Sequence, residues 1–250
     1  MTGAFSQIID GYERKARLYP ALVLLAPVVA LTFAFMLPTL STIKSIAALI
    51  ITCGGAWLLA QLARDEGKKG EPKLYKKWGG TPSVAIFRHR DSRIDPITKE
   101  RYHKKLAGLV REVSAPSPAD EAAAPEAAEN IYRAWSTYVR VNTRDTKKYP
   151  LLFHENVCYG YRRNLEGLRP IGITVSALCV LGGLGWLGYQ YRTGSNLSEA
   201  VIGADVLALM FLMLWIFRFT PDWVRIPADA YAERLAEAVD GLPGKTASKK

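Results

Sequence analysis

The chain has 250 residues, 49% of them hydrophobic, and carries a formal charge of +10 at pH 7. A mean hydropathy of +0.02 would suit a soluble protein, but it averages very apolar runs with a charged middle, so local windows decide the class. The three cysteines, an odd count with Cys53 and Cys179 in apolar runs and no CxxC pair, argue against a disulfide framework or a thiolate metal site.

Residues 1–17 place Phe5, Ile8, Ile9, Tyr12 and Ala16 at helical spacing, opposite Asp10, Glu13, Arg14, Lys15 and Arg17. This is the pattern of an amphipathic helix lying on a membrane surface. Residues 18–37 then run without a charge, and residues 45–63 repeat the feature after a break containing Pro38 and Lys44. At ~1.5 Å per residue each run covers a hydrocarbon core of ~30 Å. The first run is longer than the apolar part of a secretory signal and lacks a good cleavage site, so it reads as a retained span. Pro27 lies inside it, where a missing N–H favours a kink. Ala26, Ala30 and Ala34 form one small-residue strip, and Ala48, Thr52, Ala56 and Ala60 form another. Such strips let helices approach closely in lipid, and the two spans are expected to pack through them, against each other or another helix.

The middle, residues 64–169, holds 22 Lys/Arg against 14 Asp/Glu, a net +8. It opens with Arg64, Lys68, Lys69, Lys73, Lys76 and Lys77 close to the second span, a cluster that favours the cytoplasmic side and anionic headgroups. Trp78-Gly79-Gly80 reads as a turn, and residues 82–87 as a short extended piece. Asp95-Pro96 has the form of an N-cap followed by proline at N1, predicting a helix to about Val113. Ser117-Pro118 repeats the cap logic. A helix over residues 126–142 carries Ile131, Trp135, Tyr138 and Val139 on one side. After a break at 145–149, residues 151–168 read as a helix leading into a third span.

That span, residues 170–191, is rich in glycine, with Gly182, Gly185 and Gly188 suggesting a close-approach surface. A polar loop containing Arg192 leads to a fourth span, residues 200–217, with Ala200, Ala204 and Ala208 four apart. Residues 218–250 supply an amphipathic helix, with Tyr231, Leu235 and Val239 on one face and Gly241 suited to its C-terminal end, then a basic tail. The short loops between paired spans hold only Lys44 and Arg192, while the other basic residues flank the opposite ends. By the positive-inside rule both termini and the middle are cytoplasmic. The expected fold is therefore all-α: four transmembrane helices in two hairpins with a basic, mainly helical domain inserted between them. The expected location is a bacterial inner membrane.

Two features offer sites. Asp205 is the one acidic residue within a span, ~8 Å from its outer end; it reads as a pore or gating carboxylate, or as a group paired with Lys44 or Arg192. The densest cationic patch, Arg88, Arg90, Arg93, Lys104 and Lys105, joins Lys68, Lys69, Lys73, Lys76 and Lys77 as a candidate surface for anions or headgroups. His89 and His103 could add acid–base chemistry there. His89-Arg90-Asp91 matches a kinase catalytic-loop triplet, but the glycine-rich loop and the metal-binding Asp-Phe-Gly are missing. His89, His103 and His154 have no metal-site spacing, and no cofactor is expected. The expected partners are anionic lipid headgroups, further copies of the chain through small-residue faces, and a cytoplasmic protein or nucleotide; no specific nucleic acid is expected. The sequence favours a non-enzymatic membrane protein whose cytoplasmic domain receives a signal and whose spans respond, as an oligomeric pore or membrane-disrupting effector. The alternatives are a membrane-anchored scaffold and an enzyme acting on an anionic substrate.

Overall fold

The computed structural model describes the backbone of residues 14–36, 42–110 and 114–244, and the side chains of residues 15–36, 55–110 and 114–244. The surface helix expected over residues 1–17 falls largely outside them. Every regular element described is helical. A π-helical turn, Arg14–Leu18, leads into α1 (Tyr19–Met36). Then come α2 (Thr42–Trp78), α3 (Pro82–Ala85), α4 (Pro96–Leu109), α5 (Pro118–Ala123), α6 (Pro125–Asn142) and α7 (Pro150–Arg192). The chain ends with α8 (Glu199–Met213), a π-helical extension Leu214–Arg218, and α9 (Pro221–Glu237).

Local chemistry accounts for many boundaries. The Asp95 carboxylate accepts from Thr98 N at 2.9 Å, and Pro96 takes N1 of α4, where its missing N–H costs nothing. Ser117 and Asp120 close a reciprocal capping box on α5. Gly79 and Gly80 turn the chain after α2 with φ of 77° and 136°, values open to glycine and strained for other residues. Residues 82–85 take one helical turn rather than the extended form expected: Pro82 sits at N1, and Thr81 O accepts from Val84 N and Ala85 N.

The helices divide between two compact units. One contains the described residues up to Glu71 together with Gly160–Val224; the other contains Pro72–Tyr159 and the chain from Arg225 onward. The division falls inside α2, α7 and α9.

The segments Lys15–Met36, Pro150–Arg192 and Glu199–Arg218 are long and apolar enough to cross a membrane, and all of them except Pro150–Tyr159 belong to the first unit. Helix α2 runs through residues 45–63, but half of that stretch lacks described side chains. The interior is built from small residues. Leu31, Ala34, Cys179, Val201, Ala204 and Ala208 form one buried cluster, with Ala30 at its edge. The alanine strip of α1 thus meets the strip of α8. Large apolar side chains point outward instead: Val29, Phe33, Leu178, Leu181, Val206 and Met210 are all exposed. Small inside and large outside suits a hydrocarbon solvent, where burying a leucine gains little. The closely packed glycines differ from those expected. Gly185 and Gly188 have open space around them, and Gly182 has only ordinary contact with Leu31. The close approaches are at Gly167 against the Glu66–Gly67 backbone, Gly172 under the Trp215 ring, and Gly183 against Asp205.

Polar braces lie beyond the apolar stretch. Arg163 and Asn164 are buried; Arg163 donates to Glu71 at 2.6 Å, and Asn164 donates to Ala16 O at 2.7 Å. Arg169 donates to Trp215 O and Ile216 O at 3.0 and 2.7 Å, covering carbonyls that the π-helical turn leaves open. The guanidinium groups of Arg162 and Arg218 both lie against the Trp223 ring, 4.8 and 5.1 Å from its centre.

The second unit has a conventional core. Ile86, Phe87, Leu106, Tyr132, Trp135 and Val139 are fully enclosed; α9 adds Leu235, and the turn that follows it adds Val239.

Candidate functional site

The cationic patch of the sequence lies in the second unit, on the segment between α3 and α4 and on α4 itself. Its arginines are held by carboxylates. Arg88 makes a two-pronged ion pair with Glu129, at 2.8 and 2.7 Å, and donates to Gly79 O at 2.8 Å. A Cβ at Gly80 would collide with this guanidinium, a second reason for glycine there. Arg93 donates to Asp91 and to Asp229, each at 2.7 Å. Burial pushes the Asp91 carboxyl up, but the hydrogen bonds from Arg93 outweigh it and hold it below the usual carboxylate range. Arg90 is 69% exposed and approaches Glu121 at 3.7 Å, a loose surface pair of little energetic weight.

Lys99 lies at the centre of the segment. It is only 4% exposed, and its ammonium donates to Arg88 O at 2.8 Å and to Asp91 O. Burial pulls its pKa below the ordinary lysine value, with Asp91 and Glu121 opposing. The two histidines stack edge to face with ring centres 4.7 Å apart. Nε2 of His89 lies 2.8 Å from Pro116 O, and Nε2 of His103 lies 2.7 Å from Phe87 O. Each contact assigns the proton to Nε2, since a carbonyl only accepts. His103 is 3% exposed and packs on Trp135 and Tyr132; burial pushes it down to about 4. Glu121 gathers the other side, accepting from His89 N at 2.7 Å and Tyr132 OH at 2.8 Å. Every bond in this set joins segments of the unit to one another, so its direct chemical effect is to hold a loop of little regular structure.

A cavity of about 530 Å³ opens beside this network, with Arg90, Lys99 and His89 facing Asp91, Asp95 and Glu100. Its mixed charge gives an entering anion both attraction and repulsion.

The remaining candidates are dispersed. Lys68 and Lys69 pair along α2 with Glu71 and Glu66, at 3.4 and 2.6 Å. Lys73, Lys76 and Lys77 are exposed on the last turns of α2. Lys104 is exposed, while Lys105 donates to Asp240 O at 2.8 Å, beside an Arg101–Asp240 ion pair. Asp205 is buried at 8% exposure against Gly183. Its Oδ1 has no hydrogen-bond partner and no cation reaches it among the described residues; the Lys44 side chain lies outside them. No metal-binding cluster of His, Cys, Asp or Glu occurs among the described residues.

The sequence reading missed Arg140 and Arg144. With Thr137 and Asn156 they line a cavity of about 640 Å³. Their signal is weak in one dimension, because the walls come from the end of α6, the start of α7 and Tyr231 of α9.

Compared with protein-family models, with curated proteins and with solved structures, the chain matches none.

Proposed function

We propose that this chain is a multi-pass membrane protein in which α1, the first part of α2, the latter part of α7, and α8 cross the bilayer as two hairpins. Both termini and the second unit lie in the cytoplasm, and the second unit receives a signal or partner. The spans respond, and several copies form the conducting or membrane-disrupting assembly. The observation that carries this reading is that α2, α7 and α9 each contribute to both units. Each of these helices is a continuous covalent connection from one unit to the other, a route by which a change in one can bias the other. The outward-facing apolar side chains and the alanine contact between α1 and α8 support the membrane part. Two hairpins enclose little volume, so conduction requires oligomers. The exposed glycine face at Gly185 and Gly188 suits contact between copies.

The test is dye release from anionic vesicles carrying the purified full chain, with cross-linking in parallel. The expected result is oligomer bands together with release that rises with protein density. A monomeric protein in vesicles that stay tight, while a stable cytoplasmic partner co-purifies, would replace this reading with the scaffold.

A further inference from the structure

The geometry points to an organic-phosphate site in the cavity of about 640 Å³ between α6, the start of α7 and α9 in the second unit. The inference deepens the proposed function by naming the ligand class its receiving unit takes, and it rests on that reading only for its physiological meaning. The volume falls within the range of small-molecule sites.

Charge distinguishes this cavity from the one beside Lys99. Arg140 and Arg144 line it, and none of its lining residues is acidic. Neither arginine forms an ion pair among the described residues; Arg140 donates only to Thr137, at 3.3 Å. The nearby Asp145 is turned into its own loop, where it accepts from Lys147 N and Lys148 N at 2.9 and 3.1 Å. Two guanidinium groups without acidic partners, beside the hydroxyls of Thr137 and Thr146 and the amide of Asn156, present donors matched to phosphate oxygens.

The helix ends favour the same charge. Leu152 and Phe153, from the first turn of the long α7, line the cavity, and a helix N-terminus favours anions. The C-terminus of α6, which would oppose them, has two carbonyls covered: Tyr138 O accepts from Asn142 and Val139 O from Thr143, at 2.8 and 2.9 Å. The rest of the wall is apolar, with Val141, Phe153 and the Tyr231 ring. Inorganic phosphate would leave that surface uncovered. A nucleotide, with its base on the apolar side, uses both halves; a glycerophospholipid head with the start of its chains presents the same chemistry.

The experiment is calorimetric titration of the detergent-purified full chain with ADP and, separately, with short-chain phosphatidylglycerol. Binding of either is expected, and the one that binds identifies the source. The double variant R140Q/R144Q should weaken that binding at least about tenfold, the loss of roughly one charge-assisted contact. Both side chains are exposed, so its melting temperature should match the wild type. F153A should weaken the organic ligand and leave binding of inorganic phosphate unchanged. No binding of either ligand, or equal binding by wild type and R140Q/R144Q, overturns the inference. Because the titration needs no bilayer response, it can fail while the vesicle test succeeds, and the reverse.

Discussion

Replacing Gly167 with leucine is expected to cost more than any single surface change in the molecule. A Cβ at this position would lie 2.5 Å from Gly67 N, 2.6 Å from the Glu66 carbonyl carbon and 2.7 Å from Gly67 Cα. All three are backbone atoms of α2, so no rotamer change relieves the clash. Overpacking costs about 1–3 kcal/mol where side chains can yield, and here the helices must separate. Separation would also disturb Asn164 and Arg163, one turn earlier on α7, which hold Ala16 O and Glu71. Gly167→Leu should therefore lower the melting temperature of the purified chain sharply or prevent its recovery from membranes. Gly185→Leu should leave the melting temperature near that of the wild type, because nothing lies within 4 Å of its added Cβ. The pair is informative because the glycine pattern alone ranks the two the other way.

Acidification should destabilise the second unit before its carboxylates titrate. His103 has an unfolded pKa near 6.5 and a folded value pushed to about 4 by burial. Between these values the unfolded chain binds a proton that the folded chain refuses, so stability falls as pH drops from about 6.5 towards 4 and changes no further below that. The full span corresponds to about 3 kcal/mol at 1.36 kcal/mol per unit. Asp91 and Glu121, held below their usual ranges, lose their contribution only at lower pH, below about 4.5. The window from pH 6.5 to 4.5 thus isolates the histidine. Thermal melts across it should show a steep decline for the wild type and a shallow one for His103→Gln. Parallel curves would mean that His103 takes up its proton without strain.

Much of the helical plan was legible in the sequence because it rests on local rules. Long apolar runs predict long apolar helices, and Asp95-Pro96 and Ser117-Pro118 announce helix starts that the structure places there. The continuation of α2 through Gly67, Gly70 and Pro72 to Trp78 was not legible. Those residues disfavour a helix in isolation, and the close contact of Gly67 with α7 that supports it comes from a hundred residues away. The cationic patch was misleading for a similar reason. Arg88 meets Glu129 and Arg93 meets Asp229, partners 41 and 136 residues distant. Arg140 and Arg144 look ordinary in sequence and become notable because, among the described residues, folding pairs no carboxylate with them. Linear charge density records how many cations a segment holds; which of them lack acidic partners depends on tertiary structure.

The central claim, four spans with both termini and the second unit in the cytoplasm, is tested most directly by cysteine accessibility in intact cells. Single cysteines at Ser195, Lys104 and Lys250 would be introduced after Cys53, Cys158 and Cys179 are replaced by alanine, then treated with a membrane-impermeant thiol reagent. The account predicts labelling of position 195 from outside and of positions 104 and 250 only after the membrane is opened. Labelling of position 195 only after opening, or of position 104 in intact cells, would contradict it.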